Sequence, residues 1–340
     1  MIDFTSSVLS QGELSQLPSQ LRSLGCKRWL IVSDSNLERR LDWSWNESPV
    51  LIVPAGEASK SLAQTEKLYA ELSEHRVDRA TWLVAVGGGV VGDLAGFVAA
   101  TYLRGLPLVQ VPTSLVAQVD SSLGGKVGVD LPTGKNLVGS FYPARLVYLD
   151  TDLLETLPQH EWNSGMAEVL KHALLDGEAH WQYLEQLDTP LSGPDRHQLV
   201  QRSRQVKLDV VAADPLEQGI RAHLNLGHTL AHAIESAQNY SGWNHGQAVG
   251  FGLRAALRLS QLKLGMAPHW EDRLVSQLQR YQLPWRRPDL EFSQLTDFLH
   301  RDKKNQHGQL RFVLLAAPGQ AEVRPDVGLA DLECVWEELS

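Results

Sequence analysis

The stretch that decides the fold is WLVAVGGGVVGD, residues Trp82–Asp93. Its first part, Trp82–Val86, is an apolar run typical of a strand that is buried on both faces of a parallel sheet. The glycines that follow, Gly87, Gly89 and Gly92, fit the G-x-G-x-x-G spacing of a strand-to-helix turn that binds a pyrophosphate. Such a turn lets the backbone approach the anion, and the helix N-terminus supplies N–H groups. The stretch therefore predicts a strand, a tight turn and a helix.

Apolar runs of the same kind recur through the first 150 residues and alternate with helical patterns such as Leu62–Glu74. The runs are Trp29–Val32, Val50–Val53, Trp82–Val86, Leu108–Val111 and Leu146–Leu149. Alternating strands and helices are typical of a parallel sheet. We therefore predict an α/β domain with a largely parallel, Rossmann-like sheet over residues 1–150.

After Asp150 the pattern changes to long amphipathic segments with few apolar runs. These segments are Glu161–Leu175, His197–Ala213, His223–Gln238, Gly246–Leu264 and His269–Tyr281. They predict a mainly α-helical second domain over residues 151–340. Near its end, Gln309–Leu315, Pro318-Gly319 and Glu322-Val323 predict a hairpin.

Composition excludes several classes of protein. A chain of 340 residues is long enough for two domains, and 43% hydrophobic with 21% charged residues is an ordinary globular composition. The net charge of −9 argues against a nucleic-acid groove or an anionic membrane surface as the partner. Cys26 and Cys334 do not form a disulfide framework, and Met1–Thr5 does not resemble a signal peptide. We expect a cytoplasmic protein.

Two further loops support a nucleotide site beside the glycine-rich turn. Ser33–Asn36 closes the first apolar run, and Pro54–Lys60 follows the second. Open α/β sheets bind ligands at the carboxyl ends of their strands, where an aspartate can accept hydrogen bonds from ribose hydroxyls. We infer a nucleotide cofactor, NAD. The alternative is a turn required by packing alone, because no acidic residue lies about twenty positions after the glycines, as the usual dinucleotide fingerprint requires.

The segment Arg221–Gly250 is rich in histidine. If the part that begins at Gly227 is helical, His228 and His232 lie one turn apart on the same face and could share a metal ion. The alternative is a pair of core histidines whose hydrogen bonds are satisfied by neighbours. Residue spacing alone leaves both open.

The stretch VDSSLGGKVGVDLPTGKNLVGSFY, residues 119–142, strongly resembles the 3-dehydroquinate synthase family of sugar-phosphate cyclases. The resemblance continues in chain order through Gly87–Asp93, Val111–Ser114, Gly165–Lys171, Gly219–Thr229, His245–Val249 and Arg301–Lys304. It therefore spans nearly the whole chain.

The resemblance implies an NAD- and divalent-metal-dependent lyase of the shikimate pathway, typically a cytoplasmic homodimer. Its reaction would convert 3-deoxy-D-arabino-heptulosonate 7-phosphate to 3-dehydroquinate and phosphate, by transient oxidation with NAD, phosphate elimination, re-reduction and intramolecular aldol closure. The alternatives are another sugar-phosphate cyclase, a metal-dependent polyol or glycerol-phosphate dehydrogenase, and a non-catalytic nucleotide-binding protein on the same scaffold.

The resemblance also implies site residues. It places zinc or cobalt on Glu168, His228 and His245, and moves His232 to the substrate side. The phosphate end of the substrate would be held by Arg104, Lys126, Asn136 and one of Lys303 and Lys304. Lys207 and Arg221 would hold the carboxylate, and Asp120, Lys171, Asn225 and His232 would line the reacting ring, with Lys135 close by. NAD would contact Asp34, Asn36, Glu57, Lys60, Gly88, Gly89, Val90, Asp93, Thr113, Ser114, Asp120, Lys126, Lys135 and Thr156.

Three features depart from the family pattern. Gln247 stands where a glutamate is usual, Ser114 stands where a threonine is common, and Asp214–Glu217 differs from the usual charged run. The change at Gln247 removes a charge beside His245 and is expected to alter the affinity for metal.

Overall fold

The computed structural model describes residues 8–238, 241–301 and 311–340. The chain divides into two compact units, Met1–Pro158 and Gln159–Ser340. The first is an α/β unit with a parallel sheet and the second is mainly helical, so the predicted fold class is confirmed.

Strands and helices alternate in the first unit. Its strands are β1 (Val8–Gln11), β2 (Trp29–Asp34), β3 (Val50–Val53), β4 (Trp82–Gly87), β5 (Leu108–Pro112), β6 (Lys126–Leu131), β7 (Gly134–Phe141) and β8 (Leu146–Leu149). Its α-helices are α1 (Leu17–Ser23), α2 (Ser35–Arg40), α3 (Leu62–Glu74) and α4 (Gly89–Thr101). Every predicted apolar run lies in a strand, and α3 has the predicted bounds.

Within the described residues, six strands form one sheet in the order β1-β8-β5-β4-β2-β3, and all of its neighbouring pairs are parallel. The chain leaves β2 toward β3 on one side and returns to β4 on the other. The order of strands therefore reverses between β2 and β4, which is where open α/β sheets form a ligand-binding crevice. The core on one face of the sheet is apolar, with Ile31, Val84, Val109 and Leu146 fully buried.

Two parts of this unit differ from the prediction. Strand β1 was not predicted, because it is a largely exposed strand of four residues at the sheet edge and carries no apolar run. Strands β6 and β7 form an antiparallel hairpin within the family-like stretch. Most residues of β7 are polar or glycine and none is buried, so hydrophobic periodicity does not reveal the hairpin.

The second unit is built from helices and one hairpin. The helices are α5 (Gln159–Asp176), α6 (Glu178–Gln186), α7 (Gly193–Ala213), α8 (His228–Ala237), α9 (His245–Leu264), α10 (His269–Arg280), α11 (Ser293–Arg301) and α12 (Leu329–Glu338). The predicted hairpin is confirmed as antiparallel strands β9 (Phe312–Ala317) and β10 (Gln320–Arg324), although Gln309 and Leu310 lie outside the described residues.

The predicted helix over His223–Gln238 is wrong in its first part. Helix α8 begins at His228, and a short 3-10 turn covers Ile220–Asn225. Gly227 separates them with a φ of 77°. A Cβ at that glycine would lie 2.7 Å from the backbone nitrogen of Leu253 on α9, so the turn depends on both the conformation and the small size of glycine. In the described part of the chain, no helix combines the length and apolarity that crossing a membrane requires.

Candidate metal centre and cofactor-binding edge

Helix α5 carries Glu168 and Lys171 one turn apart in its buried middle. The Nζ atom of Lys171 lies 2.5 Å from Oε2 of Glu168, and the side chains are 1% and 0% exposed. The two residues therefore share one helix face, and their burial distinguishes them from an ordinary surface ion pair. Burial of such a pair costs desolvation free energy, which is typical of a functional site rather than of a stabilising surface contact.

Two histidines from other helices face the same carboxylate. His228 is the first residue of α8 and His245 is the first residue of α9. Oε1 of Glu168 lies 3.3 Å from Nε2 of His228 and 3.1 Å from Nε2 of His245. The three candidate ligand atoms lie within 4.8 Å of one another. The chain thus brings a carboxylate and two imidazoles from three helices to one point.

The hydrogen bonding of His228 indicates that this point suits a cation. Its Nδ1 lies 3.1 Å from the carbonyl oxygen of Leu226, which can only accept, so Nδ1 carries the proton. Burial lowers the pKa of His228, with Glu168 acting in the opposite direction, and this favours the neutral ring. The lone pair on Nε2 of a neutral His228 then faces the lone pairs of Glu168. A cation bound between Nε2 of His228 and the Glu168 carboxylate would be coordinated by both groups, which would remove this repulsion.

The spacing of these atoms also fits a tetrahedral ion. Zinc binds histidine nitrogen and carboxylate oxygen at about 2.0–2.2 Å, so two ligands on a tetrahedral ion are roughly 3.3–3.5 Å apart. The contacts of Glu168 with His228 and His245, at 3.3 and 3.1 Å, are close to that separation. A carboxylate with two imidazoles leaves positions for substrate oxygens, as catalytic rather than structural zinc sites do.

Charge in the centre is strongly coupled. Burial raises the pKa of Glu168, but neighbouring positive charge, above all the ammonium of Lys171, outweighs it and holds that pKa well below its usual range. Burial lowers the pKa of His245, yet hydrogen bonds to Glu168 and Glu235 raise it to about 10 in the absence of a metal ion. The site therefore keeps Glu168 ionised and places cationic character opposite it.

His232 lies beside this group on α8. Its ring centroid is 5.5 Å from that of His228 in an edge-to-face arrangement, and its side chain is exposed. The spacing-based interpretation that His228 and His232 share a metal ion is not what the contacts favour, because Glu168 faces His228 and His245. The resemblance assigns His232 to the substrate side, and that assignment stays a prediction.

The loop between α7 and the 3-10 turn positions the residues expected at the substrate carboxylate. The Asp214 side chain accepts hydrogen bonds from the backbone N–H groups of Gln218, Gly219 and Arg221 at 2.7–3.0 Å. Arg221 is 2% exposed, and its guanidinium donates to the carbonyl of Pro215. Lys207 on α7 is also buried.

Glu217 contacts a predicted site residue, and sequence reasoning missed this contact. Its Oε1 accepts a hydrogen bond of 3.1 Å from Nδ2 of Asn225, a residue expected at the reacting ring. Glu217 has a φ of 59°, which is unusual for a residue other than glycine. The departure of Asp214–Glu217 from the family pattern marked the segment, but no sequence signal revealed this contact.

In the first unit, the residues expected to bind NAD follow adjacent strands of the sheet. Across the sheet, Thr156 lies after β8, Thr113 and Ser114 after β5, Gly88–Val90 after β4, Asp34 and Asn36 at β2, and Glu57 and Lys60 after β3. They therefore share the carboxyl edge on both sides of the point where strand order reverses. Thr156 uses its hydroxyl to bond the carbonyl of Leu153, and Asp34 caps α2 by accepting from the N–H groups of Asn36 and Leu37.

The glycines of the turn serve two purposes. A Cβ at Gly87 would lie 2.5 Å from the side chain of Val91, and one at Gly92 would lie 2.8 Å from that of Gln110, so packing requires both. At Gly88 the nearest atom to an added Cβ would be Oγ of Ser114 at 3.4 Å. Gly88 is the N-cap of α4 and provides no side-chain cap. Packing alone therefore does not account for Gly88, and the first turn of α4 suits an anion.

Paired charges surround this edge. Lys60 is buried and lies 2.6 Å from Asp93 on α4, which ties the loop after β3 to the glycine-rich turn. Lys135 lies 3.6 Å from Glu57. Burial raises the pKa of Asp130, whose carboxylate accepts from the N–H of Asn136, and the nearby Glu57 raises it further.

Two of the residues expected at the substrate phosphate lie at different points of the β6–β7 hairpin. Lys126 pairs with Phe141 at the open end of the β6–β7 hairpin, whereas Asn136 lies near its turn. At about 3.3 Å per residue, their backbones are on the order of 15 Å apart.

Arg104 is exposed and has a φ of 69°. Asp120 lies in the π-helical turn Ala117–Ser121, a feature common at functional sites. Lys303 and Lys304 lie outside the described residues.

A parallel sheet with a candidate ligand-binding edge, and a helical unit that holds a carboxylate and two imidazoles, are features typical of enzymes that bind a nucleotide and a metal ion. Models of the 3-dehydroquinate synthase N-terminal and C-terminal regions match residues 50–164 and 165–305. The chain therefore belongs to the 3-dehydroquinate synthase family, lyases of the shikimate pathway.

Individual relatives agree with this assignment. The chain is 46% identical to 3-dehydroquinate synthase of Symbiobacterium thermophilum over 88% of this chain and 87% of the relative. It is 42% identical to that of Salinibacter ruber over 99% and 95%. Its fold matches a 2-deoxy-scyllo-inosose synthase solved with carbaglucose-6-phosphate, NAD+ and Co2+, with a TM-score of 0.88, 26% identity and coverage of 98% and 96%.

Proposed function

We propose that this chain converts 3-deoxy-D-arabino-heptulosonate 7-phosphate to 3-dehydroquinate and phosphate, with NAD and a zinc or cobalt ion bound. The observation that carries the proposal is the convergence of Glu168, His228 and His245 on one point, in a chain at least 42% identical to two 3-dehydroquinate synthases. A catalytic ion with open positions and a nucleotide edge are what this reaction requires.

The cofactors would supply the difficult chemistry: the ion would lower the pKa of a substrate hydroxyl and polarise the resulting ketone, and NAD would accept a hydride and return it. Lys171, held beside Glu168, presents an ammonium donor to substrate oxygens next to the ion. Asn225, fixed by Glu217, orients the ring. His232 is exposed and an imidazole can both accept and donate a proton, so it would relay one.

Substrate recognition would divide between the charged ends of the molecule. Arg221 and Lys207 would hold the carboxylate, because a guanidinium fork matches its geometry. Arg104, Lys126, Asn136 and one of Lys303 and Lys304 would hold the phosphate. Asp120 and Lys135 would lie close to both NAD and the substrate. Buried cations in a chain of net charge −9 support a site selected for an anionic substrate.

The rival functions are separated by one assay. The enzyme receives the heptulosonate phosphate, catalytic NAD and zinc or cobalt, and both phosphate release and NADH absorbance are followed. Many equivalents of phosphate per NAD, without accumulated NADH, are expected, since the cofactor ends as it began. Stoichiometric NADH would instead identify a dehydrogenase, and turnover of glucose 6-phosphate in preference to the heptulosonate would identify an inosose-forming cyclase. Glu168→Gln serves as the inactive control.

Two further expectations rest on the family resemblance. We propose that the enzyme is a homodimer and that it acts in the cytoplasm. Light scattering coupled to size-exclusion chromatography measures the mass directly, and a mass of one chain at assay concentration would contradict the dimer.

A further inference from the structure

Glu235, a residue with no role in the reaction as described so far, lies behind the candidate metal centre. It is on α8 and is 4% exposed. Its Oε1 lies 3.5 Å from Nδ1 of His245, while Nε2 of the same ring lies 3.1 Å from Oε1 of Glu168. The His245 ring therefore lies between two buried carboxylates, one at each nitrogen.

The two histidines of the centre differ in what holds them. Nδ1 of His228 faces the neutral carbonyl of Leu226, whereas Nδ1 of His245 faces the anionic side chain of Glu235. Helix α8 supplies both His228 and Glu235, seven residues apart. Two helical turns return a side chain to nearly the same face, so one helix provides a ligand and the support for the other ligand.

A carboxylate at Nδ1 has two physical consequences. It keeps the proton on Nδ1, so that the lone pair of Nε2 points at the metal position, and it makes the imidazole a stronger donor. It also adds a negative charge in a buried region, where attraction to a divalent ion is weakly screened. The His245 side chain is 36% exposed, against 10% for His228. Packing therefore restricts the orientation of the His245 ring less, and a hydrogen-bonding partner at Nδ1 matters more for it.

We propose that Glu235 is a positioning residue of the metal centre, which orients His245 and strengthens binding of the divalent ion. This inference rests on the proposed metal site. Glu235 belongs to the histidine-rich stretch that begins at Gly227, but its spacing from His245 along the chain gives no indication of the contact.

The test measures metal affinity without turnover. Metal-free Glu235→Gln is titrated with Co2+ or Zn2+ in competition with a chromophoric chelator, and the visible Co2+ spectrum is recorded. We expect a dissociation constant about 10–100-fold weaker than that of the wild type, the usual effect of removing such a partner. NAD affinity should stay within twofold. The matched control is Glu185→Gln, which removes a carboxylate of the same unit that pairs with Arg273 and should leave metal affinity unchanged.

A second comparison tests whether Glu235 acts through His245. In a His245→Ala background, Glu235→Gln should weaken metal binding by a clearly smaller factor than in the wild type, because the contact with His245 is already lost and only the direct attraction between Glu235 and the ion remains. An undiminished loss in that background would overturn the positioning role. If Glu235→Gln does not fold, as judged by circular dichroism, Glu235→Asp keeps the charge but shortens its reach. Its affinity should fall by a smaller factor, and wild-type affinity would contradict the inference.

Different results would contradict the proposed metal site itself. If the wild type binds no divalent ion, or Glu168→Gln binds it normally, the proposed metal centre is wrong. If Glu168→Gln loses the ion while Glu235→Gln binds it as the wild type does, the inference about Glu235 alone is wrong.

Discussion

The Nζ atom of Lys171 lies 2.5 Å from Oε2 of Glu168 with both side chains essentially inaccessible to solvent. Oε1 of the same carboxylate faces His228 and His245. Glu168 thus has the amino group of Lys171 beside one oxygen and the candidate metal position beside the other. With an ion bound, two positive charges would compensate the same buried carboxylate, so loss of one should increase dependence on the other.

Replacement of Lys171 by methionine should therefore make folding metal-dependent. Removing one partner of a buried ion pair costs about 3–5 kcal/mol, because the remaining charge is left uncompensated. We expect metal-free Lys171→Met to melt well below the wild type, and zinc to raise its melting temperature more than it raises that of the wild type. Thermal unfolding with and without zinc measures both shifts.

The control for this prediction is Lys263→Met. Lys263 on α9 pairs with Asp331 on α12 at 2.8 Å, but the two side chains are 25% and 32% exposed. A surface pair of this kind contributes roughly 0–1 kcal/mol. Equal melting temperatures of metal-free Lys171→Met and the wild type would show that Glu168 does not need Lys171.

Most of the sheet could be predicted because its strands are buried on both faces and are therefore continuous apolar runs. Strand β4, for example, is buried along its whole length. Periodicity failed where burial is one-sided or absent, as in β1 and β7. It also extended α8 too far toward its N-terminus, because the 3-10 turn before Gly227 continues the helical pattern.

Residue spacing predicted the candidate site less well than it predicted the fold. Spacing rules find ligands on one helix, and they favoured His228 with His232. The group that the structure brings together comes from α5, α8 and α9, and tertiary packing alone unites these helices. Resemblance to a family named Glu168, His228 and His245, but it did not indicate Glu217 or Glu235, whose contacts depend on a strained turn and on helix packing.

Gly88→Ala should separate cofactor binding from stability. An added Cβ would have no contact closer than 3.4 Å, and the φ of −73° suits alanine, so the melting temperature should change little. The methyl group would occupy space that the nucleotide needs beside the first turn of α4. We expect NAD affinity to fall at least tenfold, measured by calorimetry.

Gly96→Ala provides the opposite case within the same helix. Its Cβ would lie 2.3 Å from Cγ1 of Val127, so overpacking should cost about 1–3 kcal/mol. Its effect on NAD affinity in the folded protein should be small. Normal NAD binding by Gly88→Ala would show that the glycine-rich turn has only a structural role.

Arg221→Lys should impair substrate recognition although the positive charge is kept. Lysine cannot reproduce the guanidinium fork, and Arg221 is buried with a bond to the carbonyl of Pro215. We expect the KM for the heptulosonate phosphate to rise at least tenfold, with NAD and metal affinities unchanged. Steady-state kinetics measures the KM, and calorimetry measures the NAD and metal affinities. An unaltered KM would show that Arg221 does not bind the substrate carboxylate.

Gln247 shows how this chain tolerates its departure from the family's usual glutamate. Its Oε1 accepts a hydrogen bond from the N–H of Asn244 at 2.9 Å, and the Asn244 side chain accepts from its N–H at 3.0 Å, which forms a capping box for α9. His245 is the first residue of that helix. Either glutamine or glutamate can make this box, so the departure preserves the position of the ligand.

Gln247→Glu should consequently stabilise the protein and tighten metal binding. A carboxylate in the first turn of a helix contributes about 0.3–1 kcal/mol through the helix dipole, and it adds negative charge near His245. Gln247→Ala should instead cost about 1 kcal/mol and weaken metal binding several-fold, because the cap that fixes His245 is lost. Chemical denaturation and chelator competition measure the two effects. Metal affinity that is the same in all three proteins would show that capping of α9 does not influence the metal centre.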